Sequence, residues 1–204
     1  MVNERGFLIL SPTGMYWALL KLANKIRSSG YEPEVIVAIA RGGVIVARYL
    51  CDMLSIDKVD EVEIRLYGSI GVRYRKPKLI RGLRDPNQIK GRDVLIVDDV
   101  VETGATLSLA RGIVRGAGAN RVKSAVLYVK PWAKVIPDYY LKVTDRWVVF
   151  PHEYGELLSE LLSSKTEEGD ALSYLKRKTG LPVKVISSLL KVLIADKGSH
   201  SADN

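Results

Sequence analysis

The stretch of sequence that decides the fold is Val94-Leu95-Ile96-Val97-Asp98-Asp99-Val100-Val101-Glu102-Thr103-Gly104-Ala105-Thr106. Its four leading aliphatic residues predict a buried parallel strand, and two carboxylates follow where that strand ends. A turn of small residues then opens a helical pattern that starts at Leu107. Ligands of parallel sheets bind beyond the carboxyl ends of the strands, and a helix N-terminus there favours an anion. The stretch therefore predicts a sugar-phosphate site, with carboxylates for hydroxyls or a metal beside a phosphate cradle.

Length and composition indicate a globular protein without a membrane-spanning segment. The chain has 204 residues, enough for one domain with a small appendage, and 47% of them are hydrophobic. Neither a run of about eighteen apolar residues nor a signal-peptide pattern after Met1 is visible. Cys51 is the single cysteine, in a helical pattern that predicts a buried, inert thiol. We expect a cytoplasmic protein that does not engage a membrane.

The positive charge is concentrated in one segment. The formal net charge is +8, and six basic residues fall between positions 73 and 84. Such a cluster suits either a nucleic acid or a small polyanion, and charge alone does not choose between them. The segment from Tyr67 to Asp85 is long and lies between two predicted strands, which is typical of a lid or binding loop. A flexible solvated loop is the alternative.

The order of the predicted elements indicates an α/β fold. Strands are predicted over 35–40, 59–67, 94–97, 122–129, 139–143 and 147–150, and helices over 12–29, 44–54 and 107–118. Strands that alternate with helices predict a right-handed, mainly parallel sheet. Composition shifts near Pro151, and three further helices are predicted over 154–163, 169–178 and 182–194. We therefore divide the chain into a main α/β domain (1–152), a C-terminal helical bundle (153–196) and a disordered tail (197–204).

The thirteen-residue stretch resembles the sequence motif of the type I phosphoribosyltransferases. In that motif a hydrophobic strand is followed by two acidic residues, two hydrophobic residues, and an acidic residue before Thr-Gly-x-Thr. The resemblance extends from about Ser11 to Glu153. It implies a parallel sheet flanked by helices with a small hood, the substrate 5-phosphoribosyl-1-pyrophosphate (PRPP), bound Mg²⁺ and a homodimer. The C-terminal helices fall outside it.

The resemblance also implies roles for the acidic residues and for the turn. Asp98 and Asp99 would hold the ribose hydroxyls and help to position Mg²⁺, with Asp99 as the candidate metal ligand. Glu102 would be the general base, although the family usually has Asp at this position. The 5′-phosphate would be held by the backbone N–H groups of Glu102, Thr103, Gly104, Ala105 and Thr106, and by the two threonine hydroxyls.

A second loop, Arg41-Gly42-Gly43, follows the predicted strand over 35–40 and opens a helix. From the residues alone, it is either a tight turn or a second anion cradle. By the resemblance, Ala40, Arg41 and Gly42 bind the pyrophosphate of PRPP, with a cis peptide between Ala40 and Arg41. Arg75, in the basic segment that would close as a flap, is expected to bind the same group.

The nucleobase end resembles the 6-oxopurine branch of the family. Lys130, Trp147 and Val148 occupy the positions of a lysine that donates to the purine O6, an aromatic that stacks on the ring, and an aliphatic whose backbone reads the base edge. An ammonium only donates hydrogen bonds, so it suits a carbonyl better than an exocyclic amine. A surface lysine and a core tryptophan are the alternatives for Lys130 and Trp147.

The activity implied is the transfer of phosphoribose from PRPP to N9 of a purine base, with release of pyrophosphate. Hypoxanthine, guanine and xanthine are favoured. An adenine enzyme on the same scaffold is an alternative, since some archaeal adenine phosphoribosyltransferases look like 6-oxopurine enzymes with an added helical bundle. A non-catalytic, PRPP-sensing regulator is a second alternative, because residues 171–186 faintly resemble a helix-turn-helix. We expect no nucleic-acid partner.

Overall fold

A computed structural model describes residues 6–67, 76–165 and 170–199. The strands are β1 (Phe7–Ile9), β2 (Val35–Ala40), β3 (Lys58–Tyr67), β4 (Lys76–Arg81), β5 (Val94–Val101), β6 (Val122–Val129), β7 (Tyr139–Val143) and β8 (Trp147–Val149). The helices are α1 (Pro12–Ser28), α2 (Gly42–Leu54), α3 (Ala105–Gly116), α4 (Tyr154–Ser163), α5 (Ala171–Thr179) and α6 (Val183–Ser199). The described chain forms two compact units, residues 16–145 and residues 6–15 with 146–199.

The unit of residues 16–145 is built on a six-stranded sheet with the order β4-β3-β2-β5-β6-β7. Neighbouring strands are parallel, except that β4 runs antiparallel to β3. Strands β2 and β5 are aliphatic because both of their faces are covered; Val94, Leu95, Ile96 and Val97 are fully buried. The predicted α/β fold with a mainly parallel sheet is confirmed.

The strand order places a topological switch point between β2 and β5. From β2 the chain passes through α2 to β3 on one side, and from β5 it passes through α3 to β6 on the other. The two connections leave in opposite directions and open a crevice beyond the carboxyl ends of these two strands, where ligands of such sheets bind. Ala40 ends β2, and Asp98 and Asp99 lie near the end of β5. Two loops predicted to bind one ligand therefore begin side by side.

The second unit joins the start of the described chain to its C-terminal helices. Strand β1 pairs in parallel with β8, with Phe7 opposite Trp147. Helices α4, α5 and α6 enclose an apolar core that includes Leu158, Leu175 and Ile186. The Tyr154 hydroxyl donates to the carbonyl of Leu10, which ties α4 to the segment after β1.

The division observed in the structure does not coincide with the one predicted at residue 152. Strand β8 precedes that boundary, but it belongs with the helices because it pairs with β1 and Val149 packs in their core. The helices over 154–163 and over 171–179 lie close to their predicted ranges. Helix α6 continues through Ser199, so its last turn occupies the start of the segment predicted as a disordered tail. The domain boundaries themselves stay a prediction.

Two strands were absent from the expectations drawn from the sequence. Strand β4 lies in the stretch predicted as a continuous loop, and β1 was not predicted. Cys51 is buried, as predicted, and burial raises the pKa of its thiol. Within the described parts of the chain, no helix combines the length and apolar character needed to cross a bilayer.

Candidate active site

The acidic end of β5 is held by its own backbone. The side chain of Asp98 accepts a hydrogen bond from the Asp99 N–H at 2.9 Å, and that of Asp99 accepts one from the Val100 N–H at 2.7 Å. Burial raises the pKa of Asp98 well above its ordinary value, and the neighbouring charge of Asp99 raises it further. A ligand that brings a cation or hydroxyl donors would stabilise the charged form of Asp98 and so lower its pKa.

The turn after β5 is shaped to present backbone N–H groups. Gly104 caps α3 with φ of +86°, a left-handed conformation that favours glycine. A β-carbon at this position would also lie 2.6 Å from the Cβ of Val135. The Thr103 hydroxyl oxygen accepts a hydrogen bond from the Ala105 N–H at 3.3 Å, which fixes the start of the helix. The result is an anion cradle at a helix N-terminus.

The loop after β2 lies directly against the acidic end of β5. The peptide between Ala40 and Arg41 is cis, as the resemblance implies. A β-carbon on Gly42 would collide with the carboxylate of Asp99, so only glycine allows this approach. Arg41 is exposed at the start of α2. Arg75, the other residue expected at the pyrophosphate, lies outside the described residues.

A cavity of about 450 Å³ joins these features. Its lining includes Ala40 from the β2 loop and Asp98 from β5, together with four residues of the turn, namely Glu102, Thr103, Gly104 and Thr106. Ile64, Arg65 and Leu66 of β3 close one side. The cavity therefore gathers Asp98, most of the expected 5′-phosphate turn and one residue of the expected pyrophosphate loop around one space of small-molecule size. Asp99, Arg41, Gly42 and Ala105 are not part of its lining.

Lys130 lies beside the same turn and is 6% exposed. Its backbone N–H donates to the Val101 carbonyl at 2.9 Å, which places it just after the end of β6 and next to β5. Its ammonium lies 5.7 Å from the centre of the Trp132 ring. This burial excludes the alternative of a surface lysine.

Trp132 is a residue that the sequence-based expectations left without a role. Its indole N–H donates to the Glu102 carboxylate at 3.0 Å. Thirty positions separate the two residues, so no local pattern could have paired them. The sequence offered one signal for Trp132, namely that it lies two positions after Lys130, the candidate base-reading lysine.

Trp147 and Val148, the other two expected nucleobase residues, belong to strand β8 of the second unit. Trp147 is 52% exposed and Val148 is buried. The exposure of Trp147 excludes the alternative of a core tryptophan. An exposed aromatic ring is available for a base to stack on.

Comparison with known proteins identifies the class. Residues 13–157 match the family described as the phosphoribosyl transferase domain, which is more than half of the chain. The protein belongs to this family, and the predicted family, fold and enzyme class are confirmed.

Named relatives and solved structures agree with this assignment. The chain is 30% identical over 132 residues to a xanthine-guanine phosphoribosyltransferase of Cereibacter sphaeroides, covering 61% of this chain and 75% of that protein. It is 32% identical over 124 residues to the protein of the same name from Gluconobacter oxydans, covering 60% and 70%. A crystal structure of a purine phosphoribosyltransferase from Pyrococcus horikoshii superposes with a TM-score of 0.63 at 36% identity, covering 71% of this chain and 92% of that one.

Proposed function

We propose that this protein transfers the 5-phosphoribosyl group of PRPP to N9 of a 6-oxopurine base, forming the nucleoside monophosphate and pyrophosphate. The observation that carries the proposal is the cavity in which the acidic end of β5, the turn over 102–106 and Ala40 meet. A purine base is favoured because relatives in two bacteria carry the name xanthine-guanine phosphoribosyltransferase. Lys130 and the Trp147–Val148 pair supply the groups that a 6-oxopurine needs.

The turn and the two loops divide the binding of PRPP between them. The N–H groups from Glu102 to Thr106, with the hydroxyls of Thr103 and Thr106, hold the 5′-phosphate at the N-terminus of α3. Ala40, Arg41 and Gly42, with Arg75, hold the pyrophosphate. The ribose hydroxyls donate to Asp98 and Asp99. Most of the rate then comes from positioning and from stabilising the charge of the departing pyrophosphate.

The carboxylates at the end of β5 suit Mg²⁺. Magnesium prefers oxygen ligands and binds through one or two carboxylates together with substrate phosphates. Asp99 lies against the Gly42 loop, where pyrophosphate is expected, and burial together with the charge of Asp99 raises the pKa of Asp98, so a cation would stabilise the charged pair. Asp99 would be a ligand of the ion, with Asp98 beside it. When bound, Mg²⁺ supplies positive charge that neutralises the pyrophosphate.

Glu102 is the candidate general base for the proton on the purine nitrogen. It lines the cavity and is fixed by Trp132. Lys130 donates to the carbonyl at O6, and Trp147 stacks on the base with the Val148 backbone at its edge. Stacking of a base on an aromatic side chain contributes about 1–3 kcal/mol.

The direct test is an activity screen with PRPP and Mg²⁺ against hypoxanthine, guanine, xanthine and adenine, each offered separately. We expect turnover of the oxo-bases. Lys130→Ala should reduce kcat/KM for an oxo-base by about tenfold or more, since it removes a charged hydrogen-bond donor, and should affect adenine far less. Lys142→Ala, an exposed lysine on β7, is the matched control and should change neither.

The other outcomes of the screen separate the alternatives. Turnover of adenine alone would make the protein an adenine phosphoribosyltransferase on a 6-oxopurine scaffold. Tight PRPP binding without turnover of any base would favour the PRPP-sensing regulator. Against that regulator, the start of α6 packs inward, because Ile186 is fully buried and Val185 packs on the same core.

We also propose a homodimer that works in the cytoplasm. Its support is an exposed cluster on the unit of residues 16–145, where the rings of Tyr16 on α1 and Tyr49 on α2 lie 6.1 Å apart edge to face, with Ile45 37% exposed. A second copy would cover these side chains. Sedimentation velocity should show a dimer, and Tyr49→Glu should shift it towards the monomer.

A further inference from the structure

The segment over residues 130–135 runs along the turn that follows β5. The Lys130 N–H donates to the Val101 carbonyl, and the Lys134 N–H donates to the Thr103 carbonyl, each at 2.9 Å. Val135 packs over Gly104 of the same turn. These contacts fall on both sides of Glu102, so the segment fixes the backbone from which Glu102 projects.

Trp132 supplies the contact to Glu102 itself. Its indole N–H donates to the carboxylate at 3.0 Å, midway between the two backbone hydrogen bonds. The Ala133 N–H donates to the Lys130 carbonyl at 3.0 Å, a turn that presents the indole at this position. The Lys130 ammonium lies 5.7 Å from the centre of the ring, so a cation faces the indole whose N–H holds the acid.

Glu102 needs a hydrogen-bond donor to hold its side chain, because that side chain lies in solvent. It lines the cavity but is exposed, and a glutamate has several rotatable bonds that solvent leaves free. The indole has only two side-chain torsions and lies on a braced segment. Glu102 is one of the described residues that line the cavity, whereas Trp132 lies outside that lining and contacts Glu102.

We propose that Trp132 is a positioning residue for the reaction, which holds the Glu102 carboxylate in place through its indole N–H. The inference rests on the proposed function, in which Glu102 takes the proton from the purine. Trp132 follows Lys130, the candidate base-reading lysine, by two positions. Its side chain therefore connects Lys130 to Glu102.

The first test is a double-mutant cycle between Trp132→Phe and Glu102→Ala. Phenylalanine keeps an aromatic ring near Lys130, although a smaller one, and removes the N–H donor. We expect Trp132→Phe to lower kcat about tenfold, the loss of one hydrogen bond to a charged group, with KM for PRPP within about twofold. In the Glu102→Ala background, the same substitution should lower kcat by less than about twofold. Trp17→Phe, at an exposed tryptophan of α1, is the matched control and should leave kcat unchanged.

Two kinetic results would overturn the proposal. One is an unchanged kcat in Trp132→Phe. The other is an equal loss in both backgrounds, which would mean that Trp132 acts independently of Glu102. Thermal unfolding of each variant shows whether a loss of kcat reflects loss of folded protein.

The second test observes the hydrogen bond in protein that keeps Trp132. In ¹⁵N-labelled protein, the indole N–H resonance of Trp132 is identified by its absence from Trp132→Phe or, if that variant does not fold, by assignment of the wild type. It should shift in Glu102→Ala, while the resonance of Trp17 stays in place. An unmoved Trp132 resonance would show that the hydrogen bond is not formed and would overturn the inference. Failure of the proposed function would look different, because the wild-type protein would then turn over no purine base. That result would overturn both the proposed function and the role of Trp132.

Discussion

The two ends of strand β5 carry carboxylates in opposite electrostatic conditions. At its start, Asp93 accepts hydrogen bonds from the Arg121 Nε and the Asn120 amide, each at 2.9 Å. These partners, Arg121 above all, hold the pKa of Asp93 below its ordinary value. At the other end, burial and the charge of Asp99 raise the pKa of Asp98. One strand thus has an acid whose charge is stabilised by its neighbours at its start, and an acid whose charge is disfavoured by burial near its end.

The difference separates acids that stabilise the fold from acids kept for a ligand. A carboxylate surrounded by its own donors has little to offer a substrate, and its removal costs stability. A carboxylate with a raised pKa lowers the stability of the free protein when it is charged. A ligand that brings hydroxyls or a cation removes this destabilisation. The candidate site therefore lies at the end of the sheet where burial disfavours the charge of a carboxylate.

The largest expected effect is on catalysis at the carboxyl end. Glu102→Gln should lower kcat about 10²- to 10⁴-fold, because the amide cannot accept the proton that a general base removes. The matched control is Glu34→Gln at the opposite end, where the side chain accepts from Arg92 at 2.6 Å and from the Asp93 N–H at 3.1 Å. Steady-state kinetics should show no change in that variant. An unchanged kcat in Glu102→Gln would remove the general-base assignment.

Asp98→Asn should affect activity and stability in opposite directions. It removes an acceptor for the ribose hydroxyls, so kcat/KM for PRPP should fall about 10²-fold. It also removes a carboxylate that burial disfavours, so the free energy of unfolding at neutral pH should rise by about 1 kcal/mol. Urea unfolding and initial rates measure the two effects. A less stable variant would show that Asp98 is instead part of the structural framework.

Asp93→Asn should give the reverse result. The Asp93 side chain is only 11% exposed, although its partner Arg121 is 59% exposed and the pair is partly screened. We expect the free energy of unfolding to fall by about 1–2 kcal/mol, because an amide forms weaker hydrogen bonds with the Arg121 guanidinium than a carboxylate does. The kcat of the folded variant should match the wild type. A loss of kcat without a loss of stability would contradict the separation of the two ends.

The smallest expected effect is in the pH dependence of these stability differences. Because the pKa of Asp93 is lowered, its contribution is present above the ordinary carboxyl pKa of about 3.9 and is lost as the pH falls through the lowered value. The difference in the free energy of unfolding between wild type and Asp93→Asn should therefore narrow towards about pH 3.

Because the pKa of Asp98 is raised, its charge destabilises the folded protein as the pH rises above about 4. The increase in the free energy of unfolding caused by Asp98→Asn should therefore grow towards neutral pH. Urea unfolding across this range measures both. Parallel curves would show that neither acid titrates differently in the folded state.

The strand and the turn that build the candidate site were predicted well from the sequence, because their determinants are local. Four aliphatic residues before two acids specify a buried strand and its carboxyl end, and the small residues after Glu102 specify the cradle. The loop after β2 was predicted to lie beside it from the same logic, since strand order and handedness bring the ends of parallel strands together.

Features that depend on distant residues were not predictable in this way. Strand β1 is three residues long and exists because it pairs with β8, about 140 positions away. Strand β4 is basic and contains Pro77, which strands tolerate at a sheet edge, where β4 lies. The hydrogen bond from Trp132 to Glu102 depends on the packing of the segment over 130–135 against the turn. None of these has a periodic pattern of its own.

A calorimetric titration of PRPP, with Mg²⁺ present, into wild type, Asp98→Asn and Asp93→Asn shows which end of β5 binds the substrate. We expect wild type and Asp93→Asn to bind PRPP with equal affinity, and Asp98→Asn to bind it at least about tenfold more weakly, because a charged acceptor is lost. Equal affinity in all three proteins, or a loss confined to Asp93→Asn, would contradict the placement of the site at the carboxyl end of β5.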